Sequence, residues 1–361
     1  MPTEKEILDQ LTQGTLDPSP LTFRLVQTQP AMGENRRLDA LIEASWNGSS
    51  AIFAVESKPI STPKSFQAGL DRLKAATLPD GYFPMLVQPY FSEGQLRELE
   101  NAGLSGIDLS GNAVVVVPGK FAIYRTGGKN RFPSSAPIKN IYRMNSSMVG
   151  RAFLSRSNYE SVGEVQAEVN RRNILVSRND RKPMSLSTVS KSLKTLEDDL
   201  IVERGALIRL VQADTLLDKL SMNYIAPKIR ETVRLKIPVK NGALPEFLAR
   251  QARETGVQLV ATGLSSVTRY AVMQRGEMIS LYCPRLEKLF ERLPGSSLDR
   301  FPNVEIIETE DEAVYFDALG EDGFMWASPV QTYLELMAGD KRDRETALQV
   351  RSYIVSRLES E

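Results

Sequence analysis

The chain has 361 residues, with 45 Lys and Arg balancing 45 Asp and Glu, and no histidine. The absence of histidine excludes Ser-His-Asp triads, Cys-His nucleophile pairs, histidine-ligated zinc and histidine-metal nucleases; the single cysteine, Cys283, excludes an internal disulfide and a cysteine-cluster zinc site. The length predicts two or three domains with separate cores, no apolar run approaches the roughly 18 residues of a membrane span, and Met1 to Leu11 reads as a charged amphipathic helix instead of a signal peptide, so a soluble, reduced, cytoplasmic protein is expected.

A first domain is predicted over residues 1–125. Its elements are a helix over 3–13, extended segments over 22–29, 37–45 and 51–58, and a helix over 63–76 with Pro63 in its first turn. A strand over 83–87, a helix over 93–101 stopped at Gly103, and strands over 114–117 and 121–124 follow. Asn47-Gly48 between two alternating runs is a strong hairpin signal. With those two as the loop, Trp46 pairs with Ser49 and Asp39 falls directly opposite Glu56. Lys58 is two residues beyond Glu56 and shares its face. The other face presents Leu38, Ala40, Ile42, Ala44 and Trp46 against Ala51, Phe53 and Val55, an apolar surface for a core. Opposed carboxylates destabilise a hairpin unless a positive group lies between them. Lys58 can serve, and so can a divalent cation held by oxygen ligands. This is the layout of a metal-dependent phosphodiesterase site.

In these residues the domain resembles the PD-(D/E)xK restriction-endonuclease-like superfamily: Asp39, then Glu56-Ser57-Lys58 ending the next strand, then a helix carrying Gln67. The resemblance implies a restriction-endonuclease-like α/β fold in which Asp39 and Glu56 bind Mg or Mn and Lys58 orients or activates the attacking water. Asp39, Glu56 and Lys58 are the expected catalytic set. Gln67 reads as a polar helix residue. An inactive descendant keeping Glu56 and Lys58 as a structural ion pair is the alternative.

Residues 126–144 read as a basic linker, rich at first in Gly, Ser, Pro and Lys. The neutral total hides an asymmetry. Lys120 to Arg156 carries eight basic residues and no acidic one, Arg171 to Lys194 carries seven opposed only by Asp180, and Glu305 to Asp322 carries eight acidic residues and no basic one. A basic middle suits a polyanionic partner, or else is a solvated face.

Residues 145–223 read as a winged helix-turn-helix, with helices over 146–155, 162–170 and 187–199. Val189, Leu193, Leu196 and Leu200 recur at helical spacing and face inward. The outer face of the third helix offers Ser187, Thr188, Ser190, Lys191 and Lys194, groups able to approach phosphates and base edges. A tight hairpin over 201–210 turns at Gly205-Ala206 and forms a wing bearing Arg204 and Arg209. These seven residues are the expected contacts to double-stranded DNA; a winged helix used for protein contact is the alternative. The stretch 171–183, with Arg171, Arg172, Arg178, Arg181 and Lys182, reads as a disordered basic arm that tracks DNA backbone.

Residues 225–361 read as an α/β domain. Strands are expected over 257–263, 278–282, 304–307 and 313–315, a helix over 265–272, and a helical region after Trp326-Ala327-Ser328-Pro329. Together with the winged helix, this domain resembles the AbiE-type antitoxins of type IV toxin–antitoxin systems. The resemblance rests on residues 187–194 with Leu196, on Thr262-Gly263, on residues 328–336, and on residues 107–113 (IDLSGNA) in the first domain. It implies a winged-helix transcriptional regulator of its own operon, paired with a nucleotidyltransferase-like toxin, and a degenerate nucleotidyltransferase-like C-terminal domain. The strand Met278 to Cys283 carries no carboxylate to hold magnesium, so nucleotide transfer is not expected, and the acidic residues Glu308 to Glu312 read as a solvated or partner-facing surface.

The expected architecture is thus multidomain, mixing α/β and α+β parts. Three functions remain open: an antitoxin-like DNA-binding regulator, a DNA endonuclease using Asp39, Glu56 and Lys58, and an interaction protein built from degenerate catalytic folds.

Overall fold

The computed structural model describes residues 2–13, 20–30, 38–132, 140–177, 181–239, 243–272, 278–290, 301–321 and 324–360. Among them, no helix is long and apolar enough to cross a membrane. The chain divides into two compact units, Met1–Pro137 and Ile138–Glu361.

The first unit runs α1 (Glu4–Thr12), β1 (Thr22–Thr28), β2 (Ala40–Trp46), β3 (Ser49–Ser57), α2 (Pro63–Lys74), β4 (Tyr82–Gln88), α3 (Glu93–Asn101), β5 (Ser105–Asp108), β6 (Ala113–Val117) and β7 (Phe121–Arg125). The seven strands form one sheet in sequence order. Strands β3, β4 and β5 are parallel, so their carboxyl ends lie together. The flanking pairs are antiparallel. Asn47 and Gly48 have φ of 48° and 77°, the left-handed values a two-residue hairpin loop requires. The register follows as expected, with Trp46 opposite Ser49 and Ala40 opposite Val55. Thr62 accepts a hydrogen bond from Ser65 N and starts α2 at Pro63, while a Ser92–Gln95 capping box starts α3.

Alternation along the strands produces two cores. Ala40, Ile42, Ala44, Ala51, Phe53 and Val55 face α1, whose Ile7 and Leu11 cover them. Leu41, Ala54 and Leu86 face Phe66, Leu70 and Leu73 of α2 and Leu96 and Leu99 of α3. Leu38 belongs to this second cluster instead of the first, because it precedes β2 and is not held by the strand's alternation. Trp46 is 39 % exposed. The start of the expected 37–45 strand lies partly outside the described residues.

The second unit continues with α4 (Met148–Phe153), β8 (Asn158–Tyr159), α5 (Val162–Arg172), α6 (Ile174–Ser177), α7 (Leu186–Asp198), β9 (Val202–Arg204), β10 (Ile208–Leu210) and α8 (Ala213–Met222). Then come β11 (Glu231–Leu235), α9 (Leu244–Thr255), β12 (Leu259–Ala261), α10 (Gly263–Ser266), β13 (Ile279–Cys283), α11 (Leu286–Phe290), β14 (Val304–Glu308), β15 (Leu319–Glu321), β16 (Phe324–Trp326), α12 (Pro329–Met337) and α13 (Lys341–Glu359). A small sheet has the order β8-β10-β9, and a mixed six-stranded sheet has the order β11-β14-β13-β12-β16-β15.

Segments 145–223 and 225–361, expected as separate domains, share one core. Val149, Phe153 and Leu193 belong to the same buried cluster as Val330, Tyr333 and Val350. The expected disordered arm is ordered over its first half. Helix α5 continues to Arg172, and α6 follows because Ile174 and Leu175 bury against Val260 and Tyr282 of the large sheet and against Tyr315. Arg178 and Asp180 lie outside the described residues. Residues 313–315, expected as a strand, are instead the end of a 3-10 turn over Glu312–Val314 and its cap Tyr315, with the Asp311 side chain accepting a hydrogen bond from Ala313 N. Of the expected linker, residues 133–139 lie outside the described residues. Its end is packed into the second unit: Ile141 and Tyr142 are buried in that core, and Met144–Ser147 forms a 3-10 turn leading into α4.

Candidate active site and candidate nucleic-acid interface

The hairpin register brings Asp39, Glu56 and Lys58 together at the carboxyl end of β3. Asp39 N donates to Val55 O at 3.0 Å, extending the β2–β3 ladder by one step. The Asp39 carboxylate accepts from Ser57 N at 2.6 Å and Ser57 Oγ at 2.8 Å. Glu56 is fully buried, and its Oε1 accepts from Lys58 Nζ at 2.7 Å and Arg72 Nη1 at 3.1 Å. Its other oxygen, Oε2, has no partner among the described residues. A buried carboxylate oxygen left unpaired costs about 1–3 kcal/mol or more, so this atom marks where a ligand would be stabilising.

Burial pushes the Glu56 carboxyl above its usual range, and the Asp39 charge adds to this, while Lys58 and Arg72 hold it down. Helix α2 supplies the cover. Gly69 lets it approach the sheet, since a Cβ there would meet Leu86 Cδ1 at 2.5 Å and Lys58 Cε at 3.5 Å. Arg72 lies three residues on, on the same side of the helix. Gln67 does not reach this carboxylate; its amide donates to Asp71 at 2.9 Å.

Sequence reasoning missed Ser57, Arg72 and Gln88. Gln88 ends β4 on the same face as Leu86 and is fully buried; its Nε2 donates to Tyr90 O at 2.7 Å, and its Oε1 has no partner among the described residues. The signals available were the glycine on the inward side of an amphipathic helix, with an arginine one turn later, and a glutamine closing an apolar strand.

The donor set fits a hard divalent cation. Two carboxylates with one orphaned buried oxygen suit Mg, which keeps several waters and takes one or two carboxylates from a protein. Among the described residues no group of three or more His, Cys, Asp or Glu could hold a metal, so a fully protein-ligated cage is not built here.

In the second unit, α7 displays Ser187, Lys191 and Lys194 as exposed residues, with Thr188 and Ser190 partly buried beside them. Positions 187, 190, 191 and 194 form one stripe of the helix. Ser185 starts the helix by accepting from Thr188 N. Val189, Leu193 and Leu196 face inward as expected, and Leu200 takes φ of 59° at the end of the helix. The two hairpin arginines are paired: Arg209 with Glu203 at 3.1 Å and Arg204 with Glu197 at 3.9 Å.

The acidic segment is neutralised from within. Arg181 pairs with Glu310 at 2.9 Å, Arg172 with Asp317, and Asn173 donates to Glu312 at 2.8 Å. Glu308 and Glu310 both lie within 4 Å of the Arg230 guanidinium. The acidic residues Glu308 to Glu312, expected as a solvated or partner-facing surface, have partners within the chain: β11–β14 pairing sets Glu308 near Arg230, and Arg181 reaches Glu310, whose side chain stays 54 % exposed. Strand β13 carries no carboxylate, and Ser280 Oγ donates instead to Glu305 on β14. At the start of α10, where Thr262-Gly263 lies, Glu335 Oε2 accepts from Leu264 N at 3.2 Å, and its Oε1 accepts from Tyr282 OH at 3.0 Å.

No protein-family model matches the sequence, and no curated protein matches it.

Proposed function

We propose that the chain is a DNA-binding regulator of the antitoxin type that docks duplex DNA on the exposed face of α7. The observation that carries this reading is the Ser187–Ser190–Lys191–Lys194 stripe on α7, the last helix before the hairpin in the order α4-β8-α5-α6-α7-β9-β10, whose first strand pairs with the second hairpin strand. That order supports a winged helix-turn-helix reading, in which the second helix of the motif would enter the major groove. Ser187, Thr188 and Ser190 supply hydroxyls, and Lys191 and Lys194 supply charge to phosphates. Arg204 and Arg209 reach DNA only by exchanging their carboxylate partners, which makes them weaker contributors. The resemblance to AbiE-type antitoxins supports a nucleotidyltransferase-like toxin as the protein partner. Anisotropy titration with duplex from the chain's own upstream region tests the reading: Lys191→Ala with Lys194→Ala should weaken binding and lower its salt dependence. Unchanged binding would assign this face to protein.

A second reading, a Mg- or Mn-dependent DNA endonuclease in the first unit, is favoured by the orphaned Glu56 Oε2 beside Asp39 and Lys58. This arrangement supports a PD-(D/E)xK-like fold. A cation held by Asp39 and Glu56 would lower the pKa of a bound water and offset charge at phosphorus. Asp39 is oriented by Ser57, Glu56 is kept ionisable by Lys58 and Arg72, and the Lys58 ammonium, paired with Glu56, would orient the attacking water. Nicking of plasmid in Mg or Mn that Lys58→Ala abolishes would establish it; plasmid left intact under both metals would remove it.

A further inference from the structure

The carboxyl ends of β3, β4 and β5 carry more than the Asp39–Glu56–Lys58 group. Lys58 N donates to Val87 O at 2.8 Å, and Gln88 pairs in register with Asp108. Gln88 and Asp108 occupy the same sheet face as Glu56, by the alternation that puts Ala54, Leu86 and Gly106 under α2 and α3. Strand spacing places β5 roughly 10 Å from β3.

Asp108 builds a loop at this edge. It accepts from Phe91 N, Ser110 N, Asn112 N and Asn112 Nδ2 at 2.7–2.8 Å. That loop in turn grips the segment following β7. Gly128 N donates to Asn112 Oδ1 at 2.8 Å, Asn112 Nδ2 donates back to Gly128 O at 3.3 Å, and Arg131 N donates to Ser110 Oγ at 3.3 Å. Ser110 Oγ itself donates to Pro89 O, and Tyr90 N donates to Ser61 Oγ, so hydrogen bonds run without a break from the segment back to the turn after Lys58. Packing is equally close: a Cβ on Gly128 would meet Ser110 O at 2.4 Å. The residues expected as the start of a free linker are therefore fixed to the end of the sheet, and they present Lys129 and Arg131 to solvent.

We propose that Lys129 and Arg131 form a phosphate-binding rim of the Glu56 site, gripping the sugar-phosphate backbone of duplex DNA. The proposal rests on the second reading above for its site, but not on catalysis. Two exposed cations on a segment hydrogen-bonded to the loop after β5, at the same end of the sheet as Glu56, would bring a polyanion to a centre whose carboxylates alone would repel it. Backbone anchoring by Asn112 and Ser110 leaves both side chains free for phosphate oxygens, and the fixed backbone lowers the ordering cost on binding.

The test uses the full chain with Lys129→Ala and Arg131→Ala combined, titrated with duplex DNA at several salt concentrations. Loss of two phosphate contacts should lower the log–log salt slope by about 2 and weaken binding about tenfold or more. Adding these changes to Lys191→Ala and Lys194→Ala should give a further, separate loss. The charge-conserving exchange Lys129→Arg with Arg131→Lys should restore affinity. An unchanged slope and affinity would overturn the proposal, as would a loss confined to single-stranded RNA. Mg-induced thermal stabilisation is measured beside it. Its retention in the rim variant separates the rim from the carboxylates, whereas its absence in the wild type would sink the metal reading and leave the DNA result to judge the rim.

Discussion

Asp108→Ala should be among the most damaging single changes in the first unit. Three backbone N–H groups and one side-chain amide converge on its carboxylate, all within 2.8 Å, and Asp108 is fully buried. Each buried donor left unpaired costs about 1–3 kcal/mol. Water can re-enter near the loop surface and satisfy some of them. The low end for three backbone donors gives about 3 kcal/mol, and incomplete rehydration raises this to about 5 kcal/mol. Asp108→Asn should cost less, since one oxygen still accepts while the amide nitrogen faces a donor. The assay is urea unfolding followed by tryptophan fluorescence. The chain has two tryptophans, Trp46 in the first unit and Trp326 in the second, so a Trp326→Phe background makes Trp46 the reporter. The midpoint should fall with the slope unchanged. A loss below about 1 kcal/mol would refute the assigned role of these hydrogen bonds, because it lies under the cost of one unpaired donor.

Four further outcomes are expected. Because burial raises the Glu56 pKa above 4.5, the folded unit holds this proton more tightly than the unfolded chain; the contribution is complete below the ordinary Glu value and is lost as pH rises through the raised one, so Glu56→Gln should flatten stability against pH in that window. Mg affinity, read as a gain in melting temperature, should rise with pH over the same window, and Asp39→Asn should abolish the gain. Gly263→Ala should destabilise the second unit by about 1–3 kcal/mol in thermal melts, since its Cβ would stand 2.8 Å from Thr332 Cα and 2.9 Å from Glu335 Cδ. Incubation with labelled nucleotide should give no incorporation, and any transfer would refute the degenerate reading of the β13 strand.

Local chemistry was legible where a turn fixed the geometry. Asn47-Gly48 set one register, and that register alone placed Asp39 against Glu56 and Lys58 on the same face. The helices over 63–74 and 93–101 were visible through Pro63, the capping residues and apolar spacing. Strand β5 was not, because Ser105, Gly106 and Asp108 are buried for hydrogen bonding and close packing, which leaves no apolar alternation to read. The motif at 107–113 was read only through a resemblance; its physical content is an Asp108 that organises a loop. Arg72 escaped notice because a helix surface arginine reveals nothing of the carboxylate beneath it until Gly69 is known to bring helix and strand together.

The charge asymmetry shows why sequence runs mislead about partners. Basic and acidic blocks far apart in sequence were expected to present separate surfaces. Sheet pairing instead sets Glu308 beside Arg230, while α6 packing carries Arg172 and Arg181 to Asp317 and Glu310. Charges paired in this way add little to a long-range field, since each opposite neighbour cancels most of it within a Debye length. The attraction for a polyanion then rests with cations that the fold leaves uncancelled on ordered backbone. Among the described residues, Lys191 and Lys194 on α7 are one such pair, and Lys129 and Arg131 on the segment after β7 are another. Arg204 and Arg209, equally basic in sequence, are discounted by Glu197 and Glu203. Removing those two carboxylates by Glu197→Gln and Glu203→Gln should therefore strengthen DNA binding and steepen its salt dependence if the hairpin lies against the backbone. Unchanged affinity would place the hairpin away from DNA and confine the interface to the helix.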